Sequence, residues 1–254
     1  MSASAGVFDW SPKEPSRLFY QTRLRRPLID RAEGVYIWDE HGKRYLDGSS
    51  GAMVSNIGHS NPRVLAAMRA QMERATFGYR LHFENEPAER LASAIAKLCP
   101  GDLNRVFFCS GGSEATESAV KMARQYALAI GETKRTKIIS RFPSYHGSTF
   151  GALAITGYDP LTTPFAEMIH SMPKIPAPRC YLDRDNLNDE ERGIRYAEML
   201  RDKIIEIGPE TALAFIMEPV GGASTGAIVA PDSYYRRVRE ICDEYGVLLI
   251  YDEV

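Results

Sequence analysis

Hydrophobic positions change their period several times along the chain. Between residues 35 and 51, VYIWDEHGKRYLDGSSG alternates apolar and polar residues around His41-Gly42, which predicts a hairpin followed by a glycine-rich loop. From Asn61-Pro62 the period becomes helical, with Val64, Ala67, Met68 and Met72 recurring after an Asn cap and a first-turn proline. A second helix is predicted over 86–99, with Leu91, Ile95 and Leu98 on one face and Pro100-Gly101 as its stop. Beyond it, short apolar runs at 105–109, 137–140, 213–217 and 247–251 alternate with helical patterns at 114–130, 190–207 and 232–245. Gly208 and Gly246 stop the last two helices. Apolar strands separated by helices predict an α/β architecture with a mostly parallel central sheet flanked by helices. Residues 1–33 are polar and irregular in pattern, and the Pro-rich stretch 172–181 reads as an ordered surface crossing.

Composition narrows the function classes. The 254 residues are 44% hydrophobic and 25% charged, the proportions of an ordinary globular protein. A net charge of −2 gives no basic footprint for nucleic acid and no polybasic patch for a membrane surface. No apolar run reaches the 18 or so residues that span a bilayer, and the first residues lack a signal peptide's apolar core, so a cytoplasmic location is expected. Cys99, Cys109, Cys180 and Cys242 form no C-x-x-C pair, and the five histidines are scattered. Neither a disulfide framework nor a metal site is expected.

Three strand ends carry unusual chemistry, and in open α/β sheets ligands bind beyond the carboxyl ends of strands. RVFFCSGGSEATES (105–118) predicts a strand, a glycine loop and a helix start. Free N–H groups and the helix dipole there suit a phosphate, with Ser113 adding a hydroxyl, although a plain capped turn has the same local pattern. Tyr145-His146-Gly147 puts an aromatic ring and an imidazole on the loop after the 137–140 strand. Glu218 follows LAFIM, and Asp252-Glu253 follow VLLIY. A carboxylate at the end of a buried strand demands a cation: a metal, a basic side chain or a protonated ring nitrogen. An ATPase reading of the Asp-Glu pair requires G-x-x-x-x-G-K-[ST], and neither that string nor G-x-G-x-x-G occurs. A cofactor with a phosphate, a flat ring and a protonated ring nitrogen remains, and pyridoxal phosphate has all three.

Five segments in order resemble the class III aminotransferases, pyridoxal-phosphate enzymes of fold type I. They are YLDGSSGAMVSNIGHSNPRV (45–64), FFCSGGSEATESAVKMAR (107–124), FPSYHGSTFGALAITG (142–157), FIMEPVGG (215–222) and LLIYDEV (248–254). The resemblance implies that Gly112 and Ser113 hold the cofactor phosphate, that Tyr145 stacks on the pyridine ring with His146 at its rim, and that Asp252 pairs with the ring nitrogen. It further implies that Val254 packs on the opposite ring face and that Glu218 orients groups around the site. Phe19, Tyr20 and Met53 fall in segments that line the amine pocket of relatives. By the same resemblance the protein is a homodimer, with the region of Phe77-Gly78-Tyr79 contributing at the interface.

The family's Schiff-base lysine has no counterpart in a matching motif. The eight lysines are Lys13, Lys43, Lys97, Lys121, Lys134, Lys137, Lys174 and Lys203. In relatives the residue follows the D-E-V motif, so the catalytic lysine is expected beyond Val254 and the chain is expected to be the N-terminal part of a longer protein. Residues 1–75 then form an N-terminal segment with part of a smaller α+β domain, and 76–254 an incomplete large cofactor-binding domain. The reaction expected of the full protein is transfer of an amino group from a primary amine or ω-amino acid to a 2-oxo acid. A decarboxylase or aminomutase of the same family, and a non-catalytic binding protein, are the alternatives.

Overall fold

The structure, a computed structural model, describes residues 16–19 and 25–254. Its contacts group into two compact units, Met1–Asn104 and Arg105–Val254. The sequence division falls at 75/76 instead, and the difference concerns the segment that carries helix Glu86–Leu98.

The N-terminal unit holds a three-stranded antiparallel sheet of β1 (Ile29–Glu33), β2 (Tyr36–Asp39) and β3 (Arg44–Leu46), followed by α1 (Ser50–Met53), α2 (Pro62–Arg74) and α3 (Glu86–Leu98). The β2–β3 hairpin lies where alternation predicts it. Its turn is tied by the Asp39 carboxylate, which accepts the His41 and Lys43 backbone N–H groups at 2.9 Å each and the Tyr45 hydroxyl at 2.8 Å. Strand β1 was not legible in the pattern, because IDRAE carries charge at three of its five positions. Asn61 caps α2 and Asn85 caps α3 through their side-chain oxygens, each with a proline in the first helical turn.

The C-terminal unit is built on a four-stranded parallel sheet in the order β5-β4-β6-β7. In chain order its elements are α4 (Gly112–Ala129), β4 (Lys137–Phe142), α5 (Phe150–Ile155), α6 (Asp159–Thr162), β5 (Lys174–Pro176), α7 (Asp189–Ile207), β6 (Ala212–Met217), α8 (Asp232–Tyr245) and β7 (Leu248–Tyr251). All six residues of β6 are buried, as a central parallel strand covered on both faces requires. Period-two alternation sends its side chains to two separate cores. Phe215 and Met217 join Ile139, Leu200, Ile204 and Val238 on the α7–α8 side, whereas Ala214 and Ile216 join Ile138, Ala123 and Ala127 on the α4 side.

Helix ends follow their sequence signals. Asn188 and Glu191 form a reciprocal capping box that opens α7. Gly246, at φ 63°, closes α8 in the left-handed conformation. Two expectations are corrected. The 105–109 run is not a strand: Phe107 and Phe108 are half exposed, and no strand among the described residues pairs with it. An apolar run becomes a strand only when a neighbouring backbone takes its hydrogen bonds. The 172–181 stretch is not merely a crossing, since β5 lies within it as a short edge strand ending at Pro176, the sheet position a proline tolerates.

Candidate active site

Parallel pairing brings the carboxyl ends of β4, β6 and β7 to one edge, and the chain leaves each strand directly into the candidate residues. Met217 pairs with Tyr251, and the ladder runs one step further because Asp252 N–H donates to the Met217 carbonyl at 2.9 Å. Asp252 is thereby fixed by backbone before its side chain makes any contact.

The seven residues expected around the cofactor form one connected set. His146 Nδ1 lies 2.8 Å from Asp252 Oδ2, with the imidazole fully buried and the carboxylate 9% exposed. The second oxygen, Oδ1, accepts the Val254 N–H at 3.2 Å. A Cβ on Gly112 would meet the Val254 side chain at 3.4 Å, so the start of α4 and the end of the chain are neighbours. Ser113 Oγ accepts the Ser148 N–H at 3.0 Å, joining α4 to the loop that carries Tyr145 and His146. Tyr145 donates its backbone N–H to Glu218 Oε1 at 3.2 Å, while the residue as a whole remains 40% exposed. Phe19 and Met53 belong to the N-terminal unit, where both are exposed, and Tyr20 lies outside the described residues.

Two glycines hold this arrangement. Gly157 exchanges backbone hydrogen bonds with Ser144 at 2.9 and 3.1 Å, and a Cβ there would stand 2.1 Å from the Arg141 carbonyl oxygen. Gly147, at φ 136°, sits where a Cβ would lie 2.6 Å from Ser113 Oγ. Only glycine permits both that conformation and that approach.

The helix start is open to a ligand. Gly111, the N-cap of α4, offers no side chain to the first-turn N–H groups, and Glu114 turns back to accept the Ser110 N–H at 3.1 Å. Ser113 Oγ is engaged as an acceptor, so its hydroxyl hydrogen is available to donate. An anion at this helix start meets unpaired donors and the positive end of the dipole. A cavity of about 380 Å³ lies beside the same helix, lined by Phe107, Ser110, Glu117, Ser118, Lys121 and Thr149, but none of the seven residues lines it.

The demand for a cation is met differently at the two strand ends. Glu218, 5% exposed, has the Arg141 guanidinium 3.6 Å from Oε2. Sequence reasoning missed Arg141, although strand parity could have found it, since Arg141 shares the face of Ile139 in β4 and so points into a core. Asp252 instead faces an imidazole, whose other nitrogen, Nε2, is buried without a hydrogen-bond partner among the described residues. No group of three or more His, Cys, Asp or Glu side chains suited to a metal occurs among the described residues, and no described helix is long and apolar enough to cross a membrane.

The family described as Aminotransferase class-III matches residues 20–254. An uncharacterised aminotransferase of Bacillus subtilis is 42% identical over 90% of this chain and 51% of its own length. A putrescine–pyruvate aminotransferase of Pseudomonas aeruginosa is 38% identical over 89% of this chain and 50% of its own. Among solved structures, an (S)-enantioselective ω-transaminase from Thermomicrobium roseum superposes with a TM-score of 0.85 at 38% identity, covering 93% of this chain and 54% of that one. The ω-transaminase of Pseudomonas jessenii in complex with PMP gives 0.86 at 32% identity, covering 93% and 54%. The chain thus spans about half the length of the curated relatives it matches, and its parallel sheet with flanking helices is that of fold type I.

Proposed function

The chain belongs to the class III aminotransferase family, and from that membership we propose that the whole protein uses pyridoxal 5'-phosphate to move an amino group from a primary amine or ω-amino acid to a 2-oxo acid. The observation that carries this reading is Asp252. Its carboxylate is sheltered at the end of β7, its contacts are an imidazole and a backbone N–H, and it stands in the same connected set as an open helix start and an exposed tyrosine ring.

The residues fit such a cofactor. The first-turn N–H groups at Gly112 and Ser113, with the Ser113 hydroxyl, would hold the phosphate. Tyr145 would offer its ring to the flat face of the pyridine, and Val254, beside Gly112, would close the other face. Asp252 would take the charge of the ring nitrogen, and His146 would keep Asp252 aimed. When bound, the cofactor supplies an electron sink through its protonated ring nitrogen. Asp252 would hold that proton at the nitrogen, because a carboxylate stabilises a cationic ring more than a neutral one. Burial of the carboxylate and imidazole would exclude water from this interaction and strengthen it. Phe19, Tyr20 and Met53 remain proposed contributors to the amine pocket.

We place the whole protein in the cytoplasm as a homodimer, with the Phe77-Gly78-Tyr79 region at the subunit interface, and light scattering of the full-length protein checks the dimer. Borohydride reduction of the full-length protein after pyridoxal-phosphate addition, followed by peptide mapping, tests the function. A pyridoxyl group on a single lysine following the D-E-V motif supports it. A specific label on one of the eight lysines of this chain overturns the assignment of roles, and no specific label favours a non-catalytic binding protein. Product analysis with pyruvate or 2-oxoglutarate then separates amino transfer from carbon dioxide release or an internal amino shift.

A further inference from the structure

Arg141 is 3% exposed, at the penultimate position of β4. A guanidinium so deeply buried is costly unless it is paired and hydrogen-bonded. Its Nη2 donates to the Glu218 backbone carbonyl at 2.5 Å and lies 3.6 Å from Glu218 Oε2, so one nitrogen holds both the main chain and the side chain of the same residue. Glu218 passes the constraint on, since its other oxygen, Oε1, accepts the Tyr145 N–H. The Arg141 backbone acts on the same loop from the other side: its carbonyl accepts the Ser144 hydroxyl at 2.7 Å and lies against Gly157.

An apolar pair of similar volume fills such a space at no loss of stability in many proteins, and often with a gain. An apolar pair, however, offers no acceptor to the Tyr145 N–H. We propose that Arg141 is a positioning residue of the cofactor cleft: it holds Glu218 in register, so that Glu218 fixes the backbone of Tyr145 and with it the aromatic wall. This inference rests on the pyridoxal-phosphate reading given above, and it adds a residue with no direct contact to the ligand.

The test uses the full-length protein and four variants, Arg141→Met, Arg141→Lys, Glu218→Leu and the double variant Arg141→Met/Glu218→Leu. The readouts are the dissociation constant for pyridoxal phosphate, the visible circular dichroism of the bound cofactor, and the melting temperature of the cofactor-free protein. Arg141→Met is expected to weaken cofactor binding about tenfold and to diminish the visible dichroism, as loss of a buried charge-assisted contact does. Arg141→Lys restores most of both. Because Arg141 acts through Glu218, the double variant binds no more weakly than Glu218→Leu alone.

Unchanged affinity and dichroism in Arg141→Met, or a fall in melting temperature alone, overturns the proposal. So do losses that multiply in the double variant. Should Arg141→Met not fold, unchanged dichroism in Glu218→Leu overturns it equally. Failure of the wild-type protein to bind pyridoxal phosphate is a separate outcome, which removes the functional reading and this inference with it.

Discussion

His146 Nδ1 and Asp252 Oδ2 lie 2.8 Å apart although 106 positions separate them in sequence, and the imidazole is wholly buried. The pair joins a loop after β4 to the residue after β7, so the carboxylate is aimed by an element other than its own. Asp252→Asn keeps the shape and removes the charge. In the full-length enzyme it is expected to lower kcat by about 10²–10³-fold, the usual consequence of losing one preorganised electrostatic partner. Steady-state kinetics beside a melting curve check this, since the fold should be little affected.

Gly147→Ala is expected to be more harmful than an ordinary glycine substitution. The new Cβ would stand 2.6 Å from Ser113 Oγ and 2.7 Å from the Ala152 Cβ, at φ 136°. A stability loss of about 1–3 kcal/mol follows from backbone strain, before the clash is counted. Pyridoxal-phosphate affinity should fall as well, because the displaced atom belongs to Ser113. Gly131→Ala is the control: its φ is also positive, but open space surrounds its Cβ, so it costs about 1 kcal/mol and leaves cofactor affinity unchanged. Chemical denaturation and absorbance titration of both variants decide the comparison.

Tyr234, on α8, is fully buried in the core shared with β6 and α7, with its hydroxyl beside the Arg141 guanidinium. Burial pushes its pKa up to about 12, even with the charge of Arg141 nearby acting to lower it. An unfolded tyrosine loses its proton near 10, so between about pH 10 and pH 12 the unfolded state binds fewer protons and stability falls as pH rises. Tyr234→Phe should remove this contribution to the alkaline loss. At pH 7 it should change stability by no more than about 1 kcal/mol, because the hydroxyl's contact with Arg141 and its burial cost are removed together. Urea unfolding at pH 7 and pH 11 reads both effects.

Asp185 governs acid sensitivity at the start of α7. Burial acts to raise its pKa, but hydrogen bonds from Arg195 and Arg192 outweigh burial and hold the carboxyl below its usual value. A depressed folded pKa contributes stability above the unfolded value, lost as pH falls through the folded one. Asp185→Asn should therefore flatten the fall in melting temperature between about pH 5 and pH 2 relative to wild type. Parallel slopes for the two proteins over that range would contradict the assignment.

Sequence made some of this legible and hid the rest for physical reasons. LAFIM and VLLIY read as buried strands because continuous apolar runs of this length have few other uses; β6 lies there fully buried, whereas β7, at the edge of the described sheet, is only half-buried and exposes Tyr251. The helix start at Gly112 was legible because glycines, serine and early glutamates coincide. RVFFC carries the same apolar signal and forms no strand, because strand formation depends on a neighbour that the segment's own residues do not encode. The seven candidate residues were named from motifs, but their pairing was not. Nothing local in Ser-Tyr-His-Gly says that its histidine meets an aspartate beyond the last strand, or that Arg141 beneath it holds a glutamate from a third segment.

The connection of Gly112 and Ser113 to Asp252 and Val254 also has a temporal side. Ser113 and Asp252 are about 140 positions apart, which at about 5–20 residues per second is roughly 7–28 s of synthesis. Throughout that interval a nascent chain carries the helix start proposed to hold an anion without the carboxylate that accompanies it. On the proposed assignment, a phosphate-bearing ligand would be gripped by one end only until β7 docks on β6 and brings the second end with it. Translational pausing between residues 113 and 252 would lengthen this one-handed period, and pausing before residue 113 would not.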